Sequence, residues 1–184
     1  MDLFERLGQE HRRIAGVCEA LARFAPQLVS GDLAEIHEVL RFVTFLSGYG
    51  EGYHHELEER VLFPLLVEFE ILPEQGPLAH LRDQHVEEER VLCTFESAVA
   101  AKLPWRSEQR AAIEAAVRSL VAFENAHMLK ENELLFPKAK QELLPRHAEA
   151  VQKALERFEA RRAPRWNADW LARLGDELIA DHAA

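Results

Sequence analysis

His54-His55-Glu56-Leu57-Glu58-Glu59-Arg60-Val61-Leu62-Phe63-Pro64 aligns without a gap with His127-Met128-Leu129-Lys130-Glu131-Asn132-Glu133-Leu134-Leu135-Phe136-Pro137. The shared frame is a histidine, a glutamate one helical turn later, and a closing Leu-Phe-Pro. On an α-helix, positions i and i+4 lie on one face, stacked one turn apart. His54 therefore points with Glu58, and His127 with Glu131. Each pair falls where an apolar stripe should continue, which aims both at a core.

The rest of the chain supplies partners for these two helices. Period-3.6 patterning dominates, with no sustained strand-like alternation. A first helix is expected from about Leu3 to Phe24, with Leu3, Leu7, His11, Ile14, Cys18 and Leu21 on one stripe. Pro26 and Ser30-Gly31 end it. A second opens at Asp32, where Asp32 and Glu35 make a capping-box pattern. It runs through Val39, Val43, Leu46 and Gly50 to a kink or restart at Pro64. Pro77 suits the first turn of a third helix, whose stripe is Leu78, Leu81, His85, Leu92, Phe95 and Val99. Ser107 is the expected N-cap of a fourth, with Ile113, Val117, Leu120, Phe123, His127, Glu131 and Leu134 inward, a break or bend at Pro137, and more helix to about Arg161. Four long helices joined by short loops read as an all-α, antiparallel up-down four-helix bundle over residues 1–160. Residues 161–184 carry an additional short C-terminal helix after Ala163-Pro164. Asn167 is its cap, Trp166 and Leu171 form a hydrophobic staple, and Trp170, Leu174 and Leu178 form its stripe. That stripe suits either a lid on the bundle or a homodimer surface.

Composition narrows the function classes. The chain has 184 residues, 48% hydrophobic and 29% charged, as expected of a soluble globular domain. Two cysteines exclude a disulfide scaffold. A net charge of -10 and a pI near 5.4 argue against nucleic acid or an anionic membrane as partner. No apolar run approaches a membrane span, and the charged N-terminus lacks a signal-peptide core. A reducing cytoplasm is the expected compartment, with Cys18 and Cys93 as free thiols on apolar stripes.

Nine histidines are the unusual component. His11 sits between Leu7 and Ile14, and His85 between Leu81 and Leu92, so all four long helices carry one inward. A buried carboxylate without a partner costs several kcal/mol, which makes Glu58 and Glu131 hard to explain as packing. A polar layer of purely structural purpose is one reading. A metal site explains more, because cations offset the carboxylates and neutral imidazoles supply nitrogen ligands. Six inward groups exceed the ligand set of an ordinary zinc site. Two ions fit their number, with the glutamates able to bridge and two histidines at each end; iron suits the mixed ligands, and manganese or zinc is accommodated.

On these paired His-x-x-x-Glu…Leu-Phe-Pro segments, the chain resembles the hemerythrin-like HHE cation-binding family over residues 1 to about 160. Gly76-Pro77-Leu78-Ala79, leading to His85, is similar to the start of the third helix in bacterial members. The resemblance implies a bundle holding two iron ions as an oxo- or hydroxo-bridged centre. It assigns His11, His54, Glu58, His85, His127 and Glu131 as ligands, with both glutamates bridging. Two departures stand out. Oxygen-carrying members place two histidines four apart on the third helix, whereas Leu81 precedes His85 here. Their last carboxylate is an aspartate five residues after the histidine, whereas here it is Glu131 at four. The expectation is therefore a site without a fifth histidine and with one iron more open or ligated differently.

Other residues compete for roles. His55 lies about 100° round the helix from His54, and Glu88 or Glu89, about a turn beyond His85, can reach toward metal. His80 is off the face of His85, and His37, His147 and His182 are expected at the surface. Glu51-x-x-His54 and Glu124-x-x-His127 also match the Glu-x-x-His pairs of ferritin-like carboxylate bundles. Those bundles need glutamates from the other two helices, where this chain offers His11 and His85. Glu51 and Glu124 then become exposed residues or partners of ligand imidazoles. The resulting expectation is a non-haem di-iron protein binding or sensing a small diatomic ligand, O2 or NO, or meeting peroxide. The alternatives are a di-iron enzyme of peroxide or NO detoxification, an iron–sulfur repair protein, or a ferritin-like bundle. No redox cysteine pair, nucleotide loop or nucleophile motif defines a further reaction.

Overall fold

The computed structural model describes residues 2–161 and 167–183. Helix α1 (Leu3–Phe24) starts where predicted, with Asp2 and Glu5 closing a reciprocal capping box. A short 3-10 turn, Ala25–Gln27, leads out of it. Gly31 then takes a positive φ of 70°, and its backbone passes so close to Trp105 that a Cβ there would collide with the ring.

The second rod begins at Asp32, whose carboxylate accepts from the backbone of Ala34 and Glu35. It contains α2 (Leu33–Phe45), a π-helical stretch Leu46–His55, a second one Glu58–Leu62, and α3 (Phe63–Glu68). Pro64 sits in the first turn of α3, a restart without a break. Helix α4 (Pro77–Val99) packs along α5 (Ser107–Lys130), and α5 along α1. A π turn, Glu131–Leu135, joins α5 to α6 (Phe136–Arg161). The all-α bundle expected from periodicity is therefore the observed one.

The π turns change which residues face inward. Their i→i+5 hydrogen bonds put extra residues into each turn, so the apolar stripe slips at the end of the fourth long helix. Leu135 is buried there, and Leu134, expected inward, is 71% exposed. Arg106, rather than Ser107, is the N-cap of α5, and its backbone N–H donates to Gln109.

Helix α7 (Ala168–Asp181) is capped by Asn167, which accepts from the Trp170 backbone N–H. The proposed staple residue Trp166 lies outside the described residues. Leu171, Leu174 and Leu178 are buried as α7 packs against α1 and α2, while Trp170, expected on that stripe, stays 47% exposed. Gly175 faces Phe45 closely, and Gly16 of α1 faces Ile179. Arg13–Asp176 at 2.8 Å ties the middle of the helix and Arg41–Asp181 at 2.9 Å its C-terminal end. Among the described residues no helix is long and apolar enough to cross a membrane.

Candidate metal centre

Among the described residues, the buried polar side chains are five histidines and five glutamates: His11, His54, His55, His85 and His127 with Glu10, Glu58, Glu88, Glu124 and Glu131. An apolar bundle of Leu, Val and Phe surrounds them. Burial of this much charge-bearing material without a structural ion pair is costly, so its geometry carries the functional question.

All six residues singled out by the repeat and the two inward stripes converge. His11, His54, Glu58 and Glu131 each bring one nitrogen or oxygen within 4.8 Å of the others. Glu58, His85, His127 and Glu131 form a second such group, so the two groups share both carboxylates. His11 Nε2 lies 3.3 Å from Glu131, His85 Nε2 3.3 Å from Glu58, and His127 Nε2 3.3 Å from Glu131. His54 Nε2 is 3.8 Å from Glu58.

Each imidazole is held from behind through Nδ1. His11 is 2.9 Å from Asn132 Oδ1, His54 2.9 Å from Glu10, His85 2.9 Å from Glu59, and His127 3.4 Å from Gln84. The pattern repeats across the two halves. Glu59 and Asn132 hold the same place one residue past the motif glutamate, and Glu10 and Gln84 each precede the inward histidine of their helix. Phe63 and Phe136, the aromatic residues of the two Leu-Phe-Pro endings, stack on His85 and His11 respectively. Sequence reading missed these four holding residues. The signal was present, because they flank the singled-out residues at matching positions.

With each Nδ1–H committed to an oxygen acceptor, each Nε2 presents its lone pair inward. Both oxygens of Glu58, both of Glu131, His85 Nε2 and His127 Nε2 have no hydrogen-bond donor. Neighbouring ligands of an ion with bonds of roughly 2.1 Å lie about 3 Å apart, and 2.9–3.3 Å separates most of these atoms. The donors fit metal ions.

The electrostatics agree. Burial pushes Glu58 up to about 8, with Glu131 adding to the rise. Burial also acts upward on Glu131, but the His11 imidazole 3.3 Å away holds it below the usual range. His127 is lowered to about 3 by burial, and His54 and His55 fall well below an ordinary histidine for the same reason. Burial opposes charge on His85 too, yet Glu58 and Glu59 raise it to about 10. The neutral imidazoles of His54, His55 and His127, and the buried, mutually repelling carboxyls of Glu58 and Glu131, are what a cation stabilises.

His55 departs from the expectation of a site without a fifth histidine. It is 5% exposed, its ring stacks on His85 at 4.0 Å, and His55, His85 and His127 form a group with nitrogens within 4.8 Å. The π-helical winding over Leu46–His55 brings successive residues closer to one face than α-helical rotation allows. Glu51 contacts His55 at 3.2 Å rather than His54, and Glu124 is buried beside Glu88 rather than against His127. The two Glu-x-x-His pairs therefore do not converge in the ferritin-like manner. Glu88 is buried and Glu89 exposed; His80 and His37 are exposed, as expected. His147 and His182, expected at the surface, are half-buried, His147 stacked on Phe69 and His182 packed against Phe24 and Phe42. Cys18 is buried, with its thiol pushed up by burial, whereas Cys93 is exposed and off the stripe.

A helical bundle with a histidine–glutamate core defines a class of cation-binding protein. The family model of the hemerythrin HHE cation-binding domain matches residues 2–139, and the chain belongs to that family. Comparison with curated proteins and with solved structures gave no match.

Proposed function

We propose that this is a non-haem di-iron protein that binds a small diatomic ligand, O2 or NO. The supporting observation is that two four-residue donor groups share both Glu58 and Glu131. In this reading His11 and His54 would hold one ion, His85 and His127 with His55 the other, and Glu58 and Glu131, common to both groups, would serve both. Three imidazoles on one side and two on the other would give the His11–His54 position fewer protein donors and make it the more open side. Iron there supplies redox-active centres able to accept an added small ligand.

The chain's own residues do the rest. Asn132, Glu10, Glu59 and Gln84 fix the ring orientations, so the donors are arranged before an ion arrives. Phe63 and Phe136 cover the outer faces of His85 and His11 and restrict water. A groove of about 370 Å³ between α1 and α5 has His11 and Asn132 in its lining and offers a small molecule an approach to the open side.

The test is a titration of anaerobically iron-loaded protein with NO and, separately, O2, followed by visible spectroscopy. A saturable spectral change at about one gas molecule per chain is expected. No change with either gas contradicts a gas-binding role.

A further inference from the structure

The two halves of the core correspond position by position, and two buried positions differ in polarity. His55 stands where the second repeat has Met128, and Glu88, three residues past His85, stands where α1 has Ile14, three past His11. Ile14 and Met128 are buried apolar residues that pack as a bundle core requires. The corresponding polar pair is equally buried, at 5% for His55 and 1% for Glu88, and gains nothing in packing from its polarity.

Two more carboxylates join this pair. Glu51 Oε2 is 3.2 Å from His55 Nδ1, and Glu88 Oε1 is 3.6 Å from His55 Nε2. Glu124, also buried, lies beside Glu88 and adds to the rise in its pKa. Glu88 Oε2 and Glu51 Oε1 have no hydrogen-bond donor. Glu51, His55 and Glu88 each offer an atom within 4.8 Å of the others. Glu51 has a side chain 22% exposed, so the cluster runs from solvent to the imidazole that also neighbours His85 and His127.

We propose that Glu51, His55 and Glu88 form a third divalent-cation site, with Glu124 beside it, which receives metal from solvent and passes it to the dinuclear centre. One imidazole and carboxylate oxygens suit Mn2+, Fe2+ or Zn2+. His55 belongs to both donor groups, so transfer requires only that this ring exchange partners. Burial raises the carboxyls of Glu88 and Glu124, and Glu51 to about 7, the cost a bound dication removes. The site rests on its own geometry, and only its loading role rests on the di-iron reading.

Mn2+ binding to the full chain, followed by electron paramagnetic resonance of the free ion, tests both parts. In a chain carrying Glu58→Gln and Glu131→Gln, which disables the shared carboxylates, one Mn2+ is expected to bind still. Adding Glu88→Gln should weaken it at least tenfold; unchanged affinity overturns the site. In an otherwise wild-type chain, Glu88→Gln should leave two ions at saturation but slow Fe2+ uptake at least tenfold, and an unchanged rate overturns the loading role. Glu51→Gln, at a position nearer solvent, should reproduce both effects and serves if the Glu88 variant fails to fold. Failure of the wild-type chain to bind a pair of ions contradicts the di-iron reading alone, because the third site is read in the disabled chain.

Discussion

His11 Nε2 and His54 Nε2 lie 2.9 Å apart in the bundle core, each with its Nδ1 engaged by an oxygen acceptor. Two lone pairs that close repel unless a proton or a metal ion stands between them; burial disfavours the proton on His54, Glu131 favours one on His11, and a cation takes that proton's place. Chelation should therefore destabilise the protein. An ion held at a thousandfold excess over its Kd contributes about 4 kcal/mol, which for a chain of this size is a fall in Tm of about 10 °C. Calorimetry with and without a strong chelator measures it, and restoring metal should restore the transition.

Glu10 holds His54 and is itself held by Arg6, whose Nε donates to it at 3.2 Å. Burial raises Glu10 to about 7, with Arg6 opposing the rise. Glu10→Ala should raise the Kd of one ion about 10- to 100-fold while leaving the other nearly unchanged. Glu59→Ala should do the same through His85. Competitive metal titration resolves the two phases, and equal weakening of both ions by either variant contradicts the pairing.

The docking of α7 depends on tight apolar contact. Leu178 is completely buried, and Leu178→Ala should cost about 2–5 kcal/mol. Gly175→Ala pushes a methyl into the Phe45 ring and should cost about 1–3 kcal/mol. Denaturant unfolding gives both values, and metal stoichiometry should be unchanged, because α7 contributes no residue to the core cluster.

One end of α7 is also pH-sensitive. His182 Nε2 is 2.8 Å from Glu38, and Arg41 bridges Glu38 to Asp181. Burial acts upward on Glu38, but the hydrogen bond from His182 and the charge of Arg41 outweigh it and lower its pKa. A carboxylate lowered in the folded state stabilises above its unfolded pKa, about 4.3, and loses that contribution as pH falls through the folded value. Hydrogen-exchange protection in α7, relative to the intrinsic rate at each pH, should fall on acidification below about pH 4, and Glu38→Gln should remove that added dependence.

Helix number, the caps at Asp32 and Asn167, and six core histidines and glutamates were legible because each rests on local periodicity or an i,i+4 spacing. Two of the errors share one cause. Rotation of 100° per residue puts Leu134 inward and turns His55 away from His54, and the π turns at Leu46–His55 and Glu131–Leu135 alter both. Wide turns of this kind have no compositional mark. Glu10, Glu59, Gln84 and Asn132 escaped notice because each contacts an imidazole on another helix, a relation fixed by packing rather than by spacing along the chain.

The central claim is that Glu58 and Glu131 join two metal ions in one core. Metal analysis of protein produced with ample iron and purified without oxygen tests it most directly. Two irons per chain at the shared carboxylates are predicted, both lost in Glu58→Ala combined with Glu131→Ala, which should keep at most the one ion of the Glu51–His55–Glu88 site. A single zinc, or no metal at all, contradicts the account.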